Sequence, residues 1–453
     1  MKKREFLAMG GAVPLVLAGC GGSGSGSAPV RLVNASVGYP ELGFMVESTQ
    51  ATAGDVAYGG ASPFENVQAG AVGITLTVAD SSGKNNSATA SQVRTINKDN
   101  RYSLVAYGFE NELKQVLITE STITPDTGKA NVNVLNTSVD IGAVDVYLSP
   151  AKDLAVSTLI ASSITGVSQS AFAGIIAGSY YITVVGANSI AKGISDVRFQ
   201  TPAAIALTAL QVLTIILTPG ASGVLANAIL LTQGTAGAAT APGNYLNTTA
   251  RLRAVTAVAG MQTSVIGANS TGAVTVLASS TTPQYSNYFV VNTGTAPVVT
   301  VNGAAVPVLM DSTTGPVAAV LAAGGDYTLA VYLNGSGGAT AKIIEDNNTA
   351  PVTSSGVKFR LINLAANNQG LQLSMSVNSI SIASNVSYGT ASAYTEIPTP
   401  QSTNSTAEVF NGADSLISHT QVMTLPNIFT DIVVSVDPST NVVKDFFRSA
   451  SGT

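Results

Sequence analysis

The chain has 453 residues, of which 45% are apolar and 10% are charged, and its formal net charge is −5. The apolar content excludes a charge-rich disordered chain, and the charge argues against nucleic acid as a partner, since nucleic-acid binding needs clustered Lys and Arg. With one Cys and one His, the chain cannot form an internal disulfide or a Cys/His metal site. Such uncharged, Gly-rich chains fit extracytoplasmic β proteins.

The N-terminus carries the pattern of an export signal. Basic residues at positions 2–4 precede an apolar run, residues 6–17, that is too short for the ~20 residues of a membrane-spanning helix. The sequence Leu17-Ala18-Gly19-Cys20 then resembles the bacterial lipobox, in which small residues admit a signal peptidase and the thiol takes a diacylglycerol thioether. We therefore predict cleavage between Gly19 and Cys20 and lipidation at Cys20. A plain secretory signal that contains a Cys is the alternative.

Lipidation at Cys20 would make the membrane a partner of the protein, because more than one acyl chain gives stable anchoring. Gly21 stands where an Asp commonly retains lipoproteins at the inner membrane. This favours the outer membrane, with the protein on its periplasmic face or at the cell surface. Lys3-Arg4-Glu5-Phe6-Leu7 resembles a Lys-Arg variant of the twin-arginine export motif, which leaves Sec and Tat export open. Residues 20–29 are predicted to be a Gly/Ser tether.

After the tether, short strands recur in a fixed order along the chain. They are rich in Val, Ile, Thr and Tyr and are separated by Gly, Asn, Ser and Pro, which is typical of β-sandwiches. Aligning the opening strands makes four positions equivalent: Arg31, Asn133, Arg251 and Arg360. Their separation of about 100 to 120 residues is the size of one immunoglobulin-like sandwich.

The sequence therefore predicts an all-β fold of tandem immunoglobulin-like β-sandwich domains after a lipoprotein signal peptide. The predicted organisation is a signal peptide at 1–19, a lipidated Cys and tether at 20–29, and sandwiches at 30–122, 130–234, 249–346 and 357–453. Polar linkers between these units predict that each sandwich is self-contained. Alternation such as Thr-Val-Thr predicts strands with one face in a core and the other in water.

One apolar segment, residues 203–217, has more than one interpretation. It is short for a membrane span, is bounded by Pro202 and Pro219, and is interrupted by Gln211. We expect buried sandwich strands here, with a short helix crossing between two sheets as the alternative. A transmembrane helix is the remaining interpretation.

A Tyr-Gly pair recurs in the first and the fourth unit. Tyr58-Gly59 and Tyr388-Gly389 each follow a strand and precede a short run of small residues that contains Ala-Ser. We predict a tight turn in which Gly has a positive φ and the Tyr ring packs on the sheet. The alternative is an exposed loop Tyr that serves recognition.

Three segments carry a resemblance to a known family. Arg31-Leu32-Val33-Asn34-Ala35-Ser36, residues 139–147 and residues 386–394 resemble the bacterial envelope family called domain of unknown function 4397. The resemblance implies an immunoglobulin-like sandwich outside the cytoplasm and brings no established activity. Asn stands where the family often has His, at Asn34, Asn136 and Asn363, so a site built on that His would be absent here.

The residues that could carry chemistry are few. The only His, His419, lies in Ser418-His419-Thr420, and the one match to Gly-x-Ser-x-Gly, residues 22–26, lies in the tether. The carboxylate pairs Glu110/Glu112 and Asp437/Asp445 are interpreted as solvated loop charges. Residues 97–100 and 346–348 could offer oxygen ligands to Ca²⁺ but lack the ligand density of a calcium loop. We therefore predict no catalytic residue, no metal site and no cofactor.

The main functional expectation is a non-enzymatic cell-envelope lipoprotein with a binding, adhesive or scaffold role and a protein or glycan partner that the sequence does not identify. The alternative is a periplasmic lipoprotein that binds a small molecule or a glycan in a pocket between domains. An enzyme is the third class, and it would need convergent titratable groups that this sequence mostly lacks.

Overall fold

The computed structural model describes residues 26–450 apart from residues 48, 51–55, 80–84, 188–196, 234–241, 257–259, 267–272, 280–283, 296, 311–316, 352–355, 366–371, 399–403, 423–428 and 437–442. Within these residues the chain forms β-strands and a single 3-10 turn, Leu154–Val156, so the predicted all-β class is confirmed. No described helix is long and apolar enough to cross a membrane. The signal peptide, Gly19 and Cys20 lie outside the described residues.

Sandwich 1 starts inside the predicted tether, because its first strand begins at Ser27. Its strands are β1 (Ser27–Ala35), β2 (Glu41–Val46), β3 (Thr49–Gln50), β4 (Val56–Ala57), β5 (Glu65–Gln68), β6 (Gly70–Ala79), β7 (Asn85–Ser87), β8 (Gln92–Ile96), β9 (Tyr102–Tyr107) and β10 (Lys114–Thr119). One sheet has the order β10-β9-β1-β5, and the other is built around β2 and β6. Strand β1 runs parallel to β9 and antiparallel to β5.

Sandwich 2 repeats this plan. Its strands are β11 (Lys129–Asn136), β12 (Val144–Ser149), β13 (Thr158–Ile164), β14 (Ser168–Gln169), β15 (Ala173–Ile176), β16 (Gly178–Gly186), β17 (Val197–Gln200), β18 (Ile205–Leu207), β19 (Val212–Pro219), β20 (Ala226–Gln233) and β21 (Gly243–Tyr245). The apolar segment 203–217 thus lies mainly in β18 and β19, as the favoured interpretation predicted. Strand β21 adds an edge to this sandwich from a segment that the sequence assigns to a linker.

Sandwich 3 follows directly. Its strands are β22 (Thr249–Thr256), β23 (Thr263–Ile266), β24 (Ala273–Leu277), β25 (Gln284–Tyr285), β26 (Phe289–Asn292), β27 (Val298–Val301), β28 (Ala304–Val306), β29 (Val308–Met310), β30 (Val317–Ala318), β31 (Asp326–Leu333) and β32 (Ala339–Asp346). One sheet is centred on β22, β31 and β32, and the other has the order β24-β23-β27-β28.

Sandwich 4 completes the described chain. Its strands are β33 (Gly356–Asn363), β34 (Leu373–Val377), β35 (Ile380–Val386), β36 (Thr390–Ala391), β37 (Thr395–Pro398), β38 (Asn404–Asn411), β39 (Asp414–Val422), β40 (Phe429–Val436) and β41 (Val443–Ala450). Its two sheets follow the orders β36-β33-β40-β41 and β35-β34-β38-β39.

Each sandwich encloses its own apolar core between its two sheets. Two cores also contain a tyrosine that hydrogen-bonds to the backbone five positions earlier. The hydroxyl of Tyr102 accepts from the Asn97 backbone N–H at 3.0 Å, and that of Tyr327 accepts from the Ala322 N–H at 3.0 Å. This arrangement is like the tyrosine corner of immunoglobulin-like domains.

A serine clamps the opening strand in all four sandwiches. Its Oγ accepts the N–H of a strand residue whose carbonyl accepts the serine N–H in return. The four clamps join Ser62 to Leu32, Ser170 to Val134, Ser286 to Ala254 and Ser392 to Leu361. The clamp therefore aligns the four opening strands residue by residue.

This alignment corrects one sequence-based equivalence. The residue before the clamped position is Arg31 in sandwich 1 and Arg253, not Arg251, in sandwich 3. The parallel register agrees, because Arg31 lies opposite Ser103 and Arg253 lies opposite Thr328. The sequence alignment was wrong by two residues because both arginines lie on the same face of β22, where a shift of two conserves the pattern.

One sheet of each sandwich contains the parallel pair β1/β9, β11/β19, β22/β31 or β33/β40, and we call it the pairing sheet. Its central strands are buried on both faces: every residue of β9, β19 and β33 is buried. The expectation that one strand face would meet water is wrong here, because the outer face of each pairing sheet lies against a neighbouring sandwich.

Sandwiches 1 and 2 pair through an apolar cluster separate from either core. It contains Val33, Ala35, Val105, Tyr107 and Ile118 of sandwich 1, and Leu135, Ile216, Ile229 and Leu231 of sandwich 2. Sandwiches 3 and 4 pair in the same way through Val255, Ala330, Ile362 and Leu364. The described chain is therefore two pairs of sandwiches, joined between sandwich 2 and sandwich 3.

Candidate functional sites at the domain interfaces

The residues singled out from the sequence do not form a site. His419 belongs to β39, opposite Ala407, and its side chain lies outside the described part of the chain. Asp437 is also outside that part, and Asp445 is placed only by its backbone in β41. Among the described residues, no group of three or more His, Cys, Asp or Glu side chains could hold a metal ion. The charged residues that do cluster lie at the sandwich interfaces.

A buried arginine crosses the interface between sandwiches 1 and 2. Arg31 is 1% exposed, and its guanidinium donates to Glu120 Oε1 at 2.5 Å and to Ser103 Oγ at 2.9 Å. It also donates to the Thr232 carbonyl of sandwich 2 at 3.1 Å. Burial lowers the pKa of Arg31, and the Glu120 carboxylate opposes that shift. An arginine keeps its charge in such a setting, so it ties the two sandwiches with charge-assisted hydrogen bonds.

The equivalent position in sandwich 2 is Asn133, and it is poorly satisfied. Asn133 is 1% exposed, and neither its Nδ2 nor its Oδ1 has a hydrogen-bond partner among the described residues. It lies on the same face of β11 as Leu135 of the interface cluster. An unpaired buried amide costs free energy, so this residue weakens the first pair.

We expect Asn133→Val to raise the free energy of unfolding by about 1 kcal/mol, because it removes two unpaired polar atoms and suits a β-strand. Urea unfolding of the chain without its signal peptide and anchor would measure the change. The matched control is Asn136→Val in the same strand, where the amide is fully hydrogen-bonded and a loss of about 2 kcal/mol is expected. A loss at Asn133 as large as that at Asn136 would contradict the assignment.

The Tyr-Gly turn of sandwich 1 lies at the same interface. Gly59 has a φ of +77°, which confirms the predicted positive φ. The hydroxyl of Tyr58 shares a 2.8 Å hydrogen bond with Thr218 Oγ1 of sandwich 2, and burial raises the pKa of Tyr58. A Cβ on Gly59 would lie 2.3 Å from the Asn244 amide nitrogen of sandwich 2. Both residues therefore serve the contact between sandwiches rather than one sandwich core.

The second pair uses the equivalent turn of sandwich 4. Gly389 has a φ of +72°, again as predicted, and the Tyr388 ring packs edge-on against Tyr332 of sandwich 3 at 5.4 Å between centroids. The Tyr388 hydroxyl donates to the Leu333 carbonyl at 2.5 Å, and burial raises the pKa of Tyr388 to about 12. Tyr332 and Thr218 end corresponding strands, so both tyrosines meet the same position of their partner sandwich.

A buried ion network joins sandwiches 3 and 4. Asp346 is 1% exposed and accepts from Arg360 of sandwich 4 at 2.7 Å. The same carboxylate accepts from Thr328 Oγ1 at 2.7 Å and from the Tyr288 hydroxyl at 2.6 Å, and Arg253 Nε lies 3.6 Å away. Burial raises the pKa of Tyr288 well above its usual value. The carboxylate is therefore enclosed by donors from both sandwiches.

A second carboxylate, Asp326, lies where sandwich 2 meets sandwich 3. It accepts two hydrogen bonds from Arg251, at 2.7 and 2.5 Å, and one from Asn348 Nδ2 at 2.6 Å. The Asp326 backbone N–H donates to Ser222 Oγ of sandwich 2 at 3.0 Å. The oxygen-rich segment 346–348 therefore supplies internal hydrogen bonds, and the structure does not support it as a calcium loop.

The three asparagines that replace the family histidine have one structural role. Their Nδ2 groups donate to the carbonyls of Val56, Gly142 and Val386 at 2.9, 3.0 and 2.9 Å, in the order Asn34, Asn136 and Asn363. In each case Oδ1 accepts the backbone N–H of the residue two positions later. All three side chains are fully buried. They stabilise the chain where it leaves the opening strand, and they are not accessible to a ligand.

An open cleft of about 900 Å³ lies between sandwich 2 and sandwich 3. Lys152, Asp153, Thr183 and Gln200 line it from sandwich 2. Asn292 and Thr249 line it from sandwich 3, together with the connecting residues Asn247 and Thr248. Sequence reasoning did not find these residues, because they come together only through the orientation of two sandwiches.

Comparison with known proteins bears on sandwich 1. Residues 28–147 match the family model described as "Domain of unknown function (DUF4397)". This part of the chain is similar to DUF4397 domains. The resemblance predicted from the sequence is therefore confirmed for sandwich 1 and for the start of sandwich 2. The Ser62 clamp of the matched segment recurs in the other three sandwiches, so they share its architecture beyond the matched residues.

The chain also has a weak likeness to solved structures. The chain is similar to a solved structure titled "The Bacillus anthracis TIE protein" at 9% sequence identity, over 91% of this chain and 69% of that one, with a TM-score of 0.14. At that TM-score the likeness carries no argument about function. No curated protein matches the chain.

Proposed function

We propose that the protein is a non-enzymatic lipoprotein of the cell envelope, in which paired sandwiches form a stiff binding, adhesive or scaffold element. The observation that supports this best is the burial of the pairing sheets against one another, through apolar clusters and the Arg31 and Asp346 networks. Independent sandwiches on polar linkers would bend at every linker. Paired sandwiches with a shared buried interface would instead move as units.

The arrangement of charge also supports a non-enzymatic role. Catalysis needs titratable groups that converge on a place a substrate can reach. The closest clusters in the described chain are Arg251 with Asp326, and Arg253 and Arg360 with Asp346. These groups are buried and bonded to each other, so their charges are used to join sandwiches.

Small-angle X-ray scattering of the soluble chain tests the stiffness that a scaffold requires. We expect the profile of two compact pairs, with a radius of gyration that matches the paired arrangement. The matched variant is Arg31→Ala, which removes the buried guanidinium that joins sandwiches 1 and 2 and should extend the particle. A wild-type profile of four independently moving sandwiches would overturn the scaffold proposal.

The membrane anchor is tested at Cys20. We expect the wild-type protein to fractionate with membranes and to carry acyl mass, and Cys20→Ser to be found in the soluble fraction, because two or more acyl chains are needed for stable anchoring. Gly21→Ala is the matched control and should stay membrane-bound. A Cys20→Ser protein that still pellets with membranes, with no acyl mass on the wild type, would show that the anchor is wrong. Protease treatment of intact cells then separates surface display from a periplasmic location.

A second candidate function is that of a periplasmic lipoprotein that binds a small molecule or a glycan. The cleft between sandwiches 2 and 3 favours this candidate, because ligand sites commonly lie at domain interfaces and its volume is within their usual range.

A further inference from the structure

The cleft between sandwiches 2 and 3 lies between strands β16 and β17 of sandwich 2 and strand β26 of sandwich 3. Ile182 and Val184 of β16 belong to the core of sandwich 2, so the intervening Thr183 lies on the opposite face of that sheet. Thr183 and Gln200 of β17 form one wall of the cleft. Val290 and Asn292 of β26 in sandwich 3 form the facing wall.

Hydrogen bonds hold sandwich 2 against sandwich 3 at two places, so the cleft is already formed before a ligand binds. On one side, Ser222 of sandwich 2 accepts the Asp326 N–H of sandwich 3 at 3.0 Å. On the connecting chain, Asn247 Nδ2 donates to the Arg198 carbonyl at 2.8 Å and Asn247 Oδ1 accepts the Thr249 N–H at 3.0 Å. A ligand would therefore enter a site whose walls are already held in place, which lowers the entropic cost of binding.

Hydrogen bonds within the protein hold the polar side chains of the cleft in place but leave some of their oxygen atoms available to a ligand. Gln200 Nε2 donates to Thr183 Oγ1 at 3.0 Å, which leaves Gln200 Oε1 without a hydrogen bond among the described residues. Asp153 Oδ1 accepts the Ala155 N–H at 2.8 Å, and its Oδ2 has no hydrogen bond within the same described set. The Lys152 ammonium lies 5.5 Å from the centroid of the Tyr181 ring. The cleft therefore offers fixed acceptors and one cation.

The charges and amides that line the cleft favour some classes of ligand over others. A phosphate or nucleotide ligand would need several cations, whereas the cleft is lined by one Lys, Lys152, and by a carboxylate, Asp153. An apolar ligand would leave the amides of Gln200 and Asn292 unpaired on binding. A ligand rich in hydroxyl groups would satisfy amides, carboxylate and ammonium together, with no net charge to neutralise.

We propose that this cleft binds a short neutral oligosaccharide, with Gln200, Asp153 and Asn292 as hydrogen-bonding residues for its hydroxyl groups. The inference rests on the second candidate function and defines its ligand class and residues. It is independent of the scaffold role, because the cleft residues do not belong to the apolar clusters that pair the sandwiches.

The test uses the full soluble chain with Cys20→Ser and three neutral trisaccharides: maltotriose, cellotriose and the fully N-acetylated chitotriose. Saturation-transfer NMR at millimolar sugar should show binding of at least one of them, followed by calorimetry for its Kd. We expect Gln200→Ala and the exposed Asn292→Ala each to weaken that Kd about tenfold or more. The matched control, Gln68→Ala on the exposed edge of sandwich 1, should leave it unchanged.

Absence of saturation transfer from all three sugars would overturn the proposal. So would a Kd that survives both Gln200→Ala and Asn292→Ala, since the sugar would then bind elsewhere. Unchanged thermal unfolding of both variants would show that any lost binding comes from the site and not from misfolding. The scattering profile reports on the paired scaffold in the same samples, so the two proposals fail separately.

Discussion

Replacing Asp346 by Asn is expected to lower the free energy of unfolding of the second pair by about 3–5 kcal/mol. The change conserves the shape of the side chain but leaves the guanidinium of Arg360, 2.7 Å away, without its counter-charge. Both side chains are fully or almost fully buried, so water cannot replace the lost carboxylate. Removal of one member of a buried ion pair has costs of this size.

Urea unfolding of the soluble chain, followed by circular dichroism, would measure the Asp346→Asn effect. Because a chain of several domains can unfold in more than one step, the shift should appear in the transition of sandwiches 3 and 4. Asp126→Asn is the matched control, since Asp126 pairs with Lys129 at 2.9 Å but is 77% exposed. That change should leave the free energy of unfolding essentially unchanged, because water screens an exposed ion pair. Equal effects of the two substitutions would mean that the network does not stabilise the pair.

Truncation of Tyr388 to Ala is expected to cost about 2–3 kcal/mol, because it removes a large half-buried ring and its hydrogen bond to Leu333. Gly389→Val should cost at least as much. It places a side chain at a φ of +72°, with its Cβ 2.7 Å from the Tyr332 hydroxyl. The lost Tyr388 contacts and the clash with Tyr332 depend on sandwich 3, so their cost should vanish in any sample in which sandwiches 3 and 4 are separated, whereas the cost of the positive φ in Gly389→Val should remain.

A double-mutant cycle of Tyr332→Ala and Tyr388→Ala isolates the ring contact. The edge-on geometry predicts a coupling of about 0.5–1.5 kcal/mol between the two residues. The control cycle combines Tyr388→Ala with Tyr58→Ala in the other pair, where no coupling is expected. Additive effects of Tyr332 and Tyr388 would contradict the packing of one ring on the other.

Alkaline pH should weaken the same contact. The pKa of Tyr388 is about 12 in the folded chain, against an ordinary value of 10.0. The protonated hydroxyl therefore contributes its full stabilisation below pH 10 and loses it as the pH rises through 12. Unfolding of wild type and Tyr388→Phe, compared between pH 9 and 11, would show a smaller decline in the variant.

The strands and their repetition could be predicted from the sequence, because short β-prone runs and Gly-rich turns are local signals. The positive φ of Gly59 and Gly389 was also predictable from the turn they form. Sandwich pairing was not predicted, since Val105 and Ile216 at an interface look the same in a sequence as residues of a core. One signal was present: β19, Val212–Pro219, is a continuous apolar run, which is typical of strands buried on both faces.

The sites were less predictable than the strands. Arg253 could not be distinguished from Arg251 by pattern alone, because the Ser286 clamp and the parallel register that fix the alignment are seen only in the structure. Ser62 and Ser392 follow an Ala in a shared context, which is the sequence signal by which the clamps could have been found. The cleft residues Gln200 and Asn292 have no such signal, because they belong to different sandwiches and meet only through the geometry of the joint.

The two pairs use the same contact in opposite chain order. The tyrosine comes from the N-terminal member in the first pair, as Tyr58, and from the C-terminal member in the second, as Tyr388. An isologous interface, in which the same patch serves on both sides, permits this reversal, whereas a head-to-tail interface would fix the order. In such an interface each sandwich has one partner, so chains built from these sandwiches should contain an even number of them. A chain with an odd number of them would leave one apolar sheet face exposed, and we expect it to dimerise.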